Sequence, residues 1–223
     1  MLLGPPASGK GTQGRWITEH YGIPVTSVGE VLRREKEAGT PLGLEAATYF
    51  DHGRLVPDRI AIASIASWLE ENKDAFVFDG FPRTVGQGKA LDEVLARHGA
   101  PLMAAIWLEV DADTIRERVS MRVICADCSQ TFRVGWQVNS REEACPQCGG
   151  RLQTRHDDDA ETLVQRMEQY QEHTHPLVEY YEARGLLRRI DASQPPEEVS
   201  VQLEAVFCAL GCGSHCDEEA VVR

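Results

Sequence analysis

Gly4-Pro5-Pro6-Ala7-Ser8-Gly9-Lys10 follows the apolar pair Leu2-Leu3 and opens a stretch of helical pattern from Lys10 to His20. A G-x-x-x-x-G-K run between a strand and a helix has the context of a phosphate-binding loop. Its glycines let the backbone curl so that several N–H groups point inward. The helix N-terminus adds positive potential at the same point. Lys10 is then placed to reach the β- and γ-phosphates of a nucleotide. A Gly/Pro turn with an accidental lysine would not need both flanking elements. The residue after the lysine is Gly11, with Thr12 next, which is unlike a typical GTPase. The nearest match to the base-reading N-K-x-D motif, Asn72-Lys73-Asp74-Ala75, ends on alanine.

The rest of the chain repeats the strand-and-helix alternation. Gly22 ends the first helix, and Ile23–Ser27 reads as a strand. Gly29–Ala38 and Pro41–His52 have helical pattern on either side of a Gly39-Thr40-Pro41 break, and Asp58–Glu71 is a further helix. Ala75–Phe78 and Ala104–Val110 are short apolar runs of the kind that form buried parallel strands. Val85–His98 is helical. Asp111 and Asp113 stand where a helix to about Met121 begins, which favours their charge. Arg122–Asp159 shifts to cysteines, turns and charges, and reads as an inserted module. Glu161–Arg184 reads as one long helix, Leu186–Ile190 as a strand and Pro195–Leu210 as a last helix. Such alternation predicts an α/β fold with a mostly parallel sheet covered by helices on both faces.

The 223 residues suffice for one substantial core carrying smaller insertions. No run approaches the roughly 18–20 apolar residues of a membrane span, and no signal-peptide pattern opens the chain. The expectation is a cytoplasmic protein with no membrane partner, although the short first strand leaves room for an upstream start. The formal net charge of −12 disfavours a surface that binds nucleic acid. It leaves open a local cluster of arginines, the planar bidentate phosphate ligand. Only four of the 23 basic residues are lysines, a skew that coding bias would also produce.

Phe76-Val77-Phe78-Asp79-Gly80-Phe81-Pro82-Arg83 is the second dense motif. An aspartate at the carboxyl end of a buried parallel strand lies at the ligand crevice of an α/β sheet. There it can hold Mg²⁺ through water. As alternatives, Asp79 is a turn residue and Arg83 a solvated charge. The seven cysteines are an odd count without a secretion signal, which argues against a secreted disulfide framework. Cys125-x₂-Cys128-x₁₆-Cys145-x₂-Cys148 has the spacing of a four-thiolate zinc ribbon. Four protein ligands leave no open position, so the metal would be structural. Cys208, Cys212, His215 and Cys216 could form a second site, but Gly211 and Gly213 interrupt that helix, and incidental tail cysteines are preferred.

Taken in order, Gly4–Thr12, Val28-Gly29-Glu30-Val31-Leu32-Arg33, Gly53–Asp58, Asp79–Thr84, Arg118 with Arg122, and Thr154-Arg155-His156-Asp157-Asp158 resemble the adenylate kinases over about residues 1–210. The resemblance implies a P-loop kinase core at 1–26, 57–121 and 160–210. It also implies a monophosphate-binding helical insertion at 27–56, a zinc-ribbon-like lid at 122–159 and a flexible tail at 211–223. The implied reaction is MgATP plus AMP giving two ADP. Ala7, Ser8, Gly9, Lys10, Gly11, Thr12, Arg118, Arg122, Thr131, Phe132 and Gln194 would hold ATP. Val28, Arg33, Arg54, Leu55, Val56, Gly80, Phe81, Pro82, Arg83, Gln87, Arg155 and Arg166 would hold AMP. Lys10, Arg83, Arg118, Arg122, Arg155 and Arg166 would stabilise the transferring phosphoryl group, and Asp79 would hold the Mg²⁺ water. Cys125, Cys128, Cys145 and Cys148 would hold structural Zn²⁺. The expected protein is a monomer with no nucleic-acid partner.

The sequence departs from the family pattern at several points. Val28 and Glu30 stand where Thr or Ser and Asp are common, Ala7 replaces a P-loop glycine, and Val123 replaces a second arginine beside Arg122. A kinase for UMP or CMP is the alternative. A non-catalytic nucleotide-binding protein whose zinc ribbon binds nucleic acid is a further one, opposed by Glu142, Glu143 and Asp157–Asp159.

Overall fold

The computed structural model describes residues 1–50, 56–72, 74–128, 130–154 and 158–212. Five short strands form its centre: β1 (Leu2–Leu3), β2 (Val25–Thr26), β3 (Val77–Phe78), β4 (Ala105–Glu109) and, late in the chain, the strand Leu187–Asp191. β1 pairs in parallel with β4, and β4 with Leu187–Asp191. β2 pairs in parallel with β3. A parallel bridge from Leu2 to Asp79 joins the two groups, so the P-loop strand sits in the middle with Asp79 beside it.

Both faces of this sheet are dry, and successive residues serve opposite layers. Leu3, Phe78, Ala105 and Trp107 pack with α4 (Asp58–Glu71), α5 (Val85–Arg97) and α8 (Pro176–Glu182). Leu2, Val77, Ile106 and Leu108 pack on the other side with α1 (Lys10–Tyr21) and α9 (Pro196–Ala209). This is the period-two alternation of a strand, hidden in sequence because both sets are apolar. Fully burying a Leu, Ile, Val or Phe side chain in this way stabilises by about 1.5–3 kcal/mol.

Two helices, α2 (Val28–Glu37) and α3 (Pro41–Phe50), rise between β2 and α4. Ser27 starts α2, its Oγ accepting from Glu30 N–H at 3.2 Å, a cap worth about 1 kcal/mol. Leu32, Ala46 and Ile60 form a separate small core with Val28, Leu42, Tyr49 and Val56 around it. Gly43 permits the close approach of α3 to α2, because a Cβ there would lie 2.2 Å from the backbone of Glu35 and Lys36.

After α6 (Ala112–Ser120), β5 (Arg122–Cys125), β6 (Thr131–Arg133) and β7 (Leu152–Gln153) form an antiparallel sheet in the order β6-β5-β7. Its core is Val123, Phe132, Val138 and Leu152 with Cys125 and Cys145. Val123 is completely buried there, so the residue expected beside Arg122 as a lost arginine is a packing residue of this sheet.

The single helix expected over Glu161–Arg184 is α7 (Ala160–Gln169), a π-helical turn at Tyr170–Thr174 and α8. The cause is Pro176, which lacks an N–H and whose ring crowds the preceding turn of a regular helix. The turn widens, and His175 N–H donates to Tyr170 O at 2.8 Å, five residues back. The strand Leu187–Asp191, β8, follows and leads into α9. Among the described residues no helix is long and apolar enough to cross a membrane.

Candidate functional site

The loop between β1 and α1 curls at the carboxyl end of the sheet. Gly4 has φ +153°, and a Cβ there would come within 2.6 Å of Ser8 Oγ and 2.9 Å of Leu108 O. Only glycine fits. Ala7 adopts φ 59°, the left-handed region that costs a residue with a Cβ about 1–2 kcal/mol. The substitution seen in the sequence therefore leaves strain in the cradle itself. Lys10 Nζ donates to Gly4 O and Pro5 O, both at 2.8 Å, and to Ser8 Oγ at 3.3 Å.

The loop forms the floor of a cleft of about 870 Å³. Every residue expected to hold ATP lines it: Ala7 to Thr12, Arg118, Arg122, Thr131, Phe132 and Gln194. Asp79 and Arg166 line it too. Phe132 is nearly buried and belongs mainly to the core of the inserted sheet. Burial lowers Lys10 from 10.5 to about 8, opposed by the charge of Asp79 and reinforced by Arg83, Arg166 and Arg122. Asp79 is pushed up by its own burial, against the pull of Lys10 and Arg83.

Backbone and acidic groups hold the cleft arginines. Arg118 donates to Ala192 O at 2.6 Å, Gln194 O at 3.3 Å and Ser193 O at 3.4 Å, tying α6 to the loop after β8. Arg122 Nε donates to Asp158 Oδ2 at 2.6 Å, and its Nη2 pairs with Asp158 Oδ1. The side chains of Arg122 and Asp158 are 14% and 1% exposed.

Of the described residues expected to hold AMP, Arg166 lines this cleft and the others lie outside its lining. Phe81 and Pro82 are buried, while Arg83 is exposed, its Nε donating to Gly80 O at 3.1 Å. Arg83 is near enough to influence both Lys10 and Asp79. Gln87 follows one turn later in α5 and accepts from Arg83 N–H at 2.7 Å. Thr174 Oγ1 donates to Arg83 O at 2.9 Å from the π-helical turn. Val28 and Val56 pack beside the small core of α2 and α3, and Arg33 is exposed on α2. Arg54, Leu55 and Arg155 lie outside the described residues, as do His215 and Cys216.

Sequence reasoning missed Arg15, Gln130 and Trp136. All three line the cleft, and Trp136 is 50% exposed. Arg15 on α1 donates to Gln130 Oε1, joining the core to the inserted sheet. No spacing rule connects these positions.

The sulfur atoms of Cys125, Cys128, Cys145 and Cys148 all lie within 4.8 Å of one another. Cys125 and Cys148 are 3.5 Å apart, Cys128 and Cys145 3.7 Å. A tetrahedral zinc with Zn–S bonds of about 2.3 Å requires edges of about 3.8 Å. The spacing therefore fits four thiolates around one zinc and exceeds the roughly 2.05 Å of a disulfide. Among the described residues this is the only cluster suited to a metal. Cys212 instead packs, half-buried, against the core around Phe207.

A P-loop at the carboxyl end of a parallel sheet, faced by an aspartate and several arginines, defines a P-loop protein of the phosphotransferase class. The adenylate kinase family model matches residues 2–186. The chain is 43% identical to the adenylate kinase of Acidothermus cellulolyticus, over 93% of this chain and 96% of that one. It is 40% identical to those of Clostridium tetani and Bacillus subtilis, in each case over 94% of this chain and 98% of the relative. The chain belongs to the adenylate kinase family.

Proposed function

We propose that the chain transfers the terminal phosphoryl group of MgATP to AMP, reversibly, giving two ADP. A phosphate oxygen of AMP attacks the γ-phosphorus, and the bond from that phosphorus to the β–γ bridging oxygen breaks. No covalent intermediate with the protein forms. The observation that carries this reading is the convergence of Lys10, Asp79, Arg118, Arg122 and Arg166 on one cleft, with Arg83 close enough to perturb Lys10 and Asp79. Phosphoryl transfer needs positioning and charge neutralisation more than covalent chemistry. Mg²⁺, arriving with ATP, supplies further neutralisation of phosphate charge. Asp79 would hold that ion through water, and Lys10 with the arginines holds the phosphates.

The division into a core at 1–26, 57–121 and 160–210, a monophosphate-binding insertion at 27–56 and a lid at 122–159 belongs to the same proposal. It is supported by the separate core of the inserted sheet and by the small core that α2 and α3 form with Ile60 of α4. Lid closure excludes water that would otherwise hydrolyse ATP. Cys125, Cys128, Cys145 and Cys148 would hold Zn²⁺, which would crosslink the lid and keep it folded. In this reading the chain acts as a cytoplasmic monomer, and its net charge of −12 supports the absence of a nucleic-acid partner. A coupled assay with ATP and AMP, GMP, UMP or CMP tests the reaction. AMP is the expected acceptor. Preferred turnover of UMP or CMP would reassign the base, and no turnover of any monophosphate would refute the enzyme.

A further inference from the structure

The Gln87 amide is held from both ends. Its Oε1 accepts from the backbone N–H of Arg83 at 2.7 Å. Its Nε2 donates to Asp58 Oδ1 at 2.6 Å. A backbone N–H only donates and an ionised carboxylate only accepts, so both partners demand the same orientation of the amide. Rotating it by half a turn would set Nε2–H against the Arg83 N–H and Oε1 against the carboxylate. Asp58 comes from the first turn of α4 and Arg83 from the loop before α5. The two locking groups therefore belong to different elements.

With one lone pair and one N–H already engaged, Gln87 has one lone pair and one N–H left, in fixed order. An adenine offers a donor at its 6-amino group and an acceptor at N1, which match that order. Guanine offers an acceptor at O6 and a donor at N1, which mismatch it at both atoms. An unlocked glutamine would flip and accept either base. We propose that Asp58 is a specificity-determining positioning residue, which through Gln87 selects 6-amino over 6-oxo purine monophosphates. The proposal rests on the reading of Gln87 as the residue that faces the monophosphate base. Asp58 also stands at the N-terminus of α4, where its charge stabilises the helix. That second role affects stability and not the ratio between two substrates.

The experiment compares kcat/KM for AMP and GMP, with saturating MgATP, in the wild type and in Asp58→Ala, Asp58→Asn and Gln87→Ala, with a thermal melt of each. Asp58→Ala leaves the Arg83 N–H as the one remaining group that orders the amide, and is expected to lower the AMP-to-GMP ratio on the order of 10-fold. The change should fall mainly in KM. Asp58→Asn keeps the shape, but its amide can itself turn to offer either an acceptor or a donor, so it removes the demand and should lower the ratio as Asp58→Ala does, whatever its melting temperature. If Gln87→Ala collapses the ratio and Asp58→Ala does not, the locking role is wrong while Gln87 keeps its place at the base. If neither variant moves the ratio, both the lock and the assignment of Gln87 fail, and the phosphoryl transfer stands. A wild type that phosphorylates no monophosphate overturns the lock together with the proposed reaction.

Discussion

Asp158→Ala removes half of an ion pair that is almost out of water. Arg122 opens β5, and Asp158 immediately precedes Asp159, the N-cap of α7. The pair thus joins the two ends of the inserted sheet where it leaves the core. Exposures of 14% and 1% separate it from surface ion pairs worth little. Deleting the carboxylate leaves a guanidinium with no counter-charge at that point, a change that typically costs about 3–5 kcal/mol. For a chain of this size each kcal/mol lowers Tm by about 2–4 °C, so the expected fall is roughly 6–20 °C. Turnover should also fall, on the order of 10²-fold at a temperature where the variant is folded, because Arg122 loses the two contacts that aim it.

The double variant Arg122→Met/Asp158→Leu separates the two effects. Replacing both members of a buried pair with apolar residues is often neutral for stability. Its Tm should recover most of the loss, while turnover stays low on the order of 10²–10³-fold because a cleft cation is gone. Thermal circular dichroism and the coupled ADP assay read the two quantities independently. A fall of less than about 2 °C for Asp158→Ala, under 1 kcal/mol on this scale, would refute the burial argument. A double variant less stable than the single one would refute it as well.

Lys10→Ala and Arg83→Ala should each reduce kcat on the order of 10²–10³-fold with unchanged circular dichroism; near-normal turnover in both would place the chemistry in another cleft. Elemental analysis should find one zinc per chain, and Cys145→Ser or a chelator should lower Tm while activity persists well below the melt. Immediate loss of turnover without unfolding would refute a purely structural zinc. Lys10 has a folded-state value of about 8 against 10.5, so folding releases its proton between those values. Its contribution to stability is least favourable below 8 and improves as pH rises towards 10.5. Phosphate binding restores the proton, so ATP binding at about pH 9 should take one up. Calorimetry in two buffers of different ionisation enthalpy should show it, and equal heats would overturn the assignment.

The phosphate cradle was legible because glycines, lysine, strand and helix occur within a dozen residues, and each requires the others. The apolar runs ending at Phe78 and Val110 also announced buried strands. The assignment of alternate residues to two cores was not legible, since Leu2 and Leu3 are equally apolar and bury on opposite sides. Strands of two to four residues in the cysteine segment fall below the length at which periodicity is visible. Pro176 carried the signal for the widened turn, but the amphipathic pattern on either side outweighed it in reading one helix. The clasp of Arg15 on Gln130 spans 115 residues and depends on where the inserted sheet settles. No local pattern encodes that.

The cleft reconciles an acidic chain with an anionic substrate through the way its cations are held. Arg122 and Arg133 are matched to Asp158 and Glu117. Part of their charge is already answered where they stand. Lys10 and Arg118 are different, for among the described residues neither forms an ion pair. Lys10 rests on the carbonyls of Gly4 and Pro5, and Arg118 on those of Ala192 to Gln194. Carbonyl dipoles orient a cation and partly repay its desolvation, but they do not cancel its charge. Burial and the field of Arg133 accordingly lower Arg118 from its ordinary value, as burial lowers Lys10. Such charge is costly in the empty cleft and becomes favourable when a polyphosphate enters. Both cations reach Ser8, Lys10 at its Oγ and Arg118 at 3.5 Å from its carbonyl oxygen. Two cations that form no ion pair thus meet at the phosphate loop, where Asp79 answers Lys10 only in part.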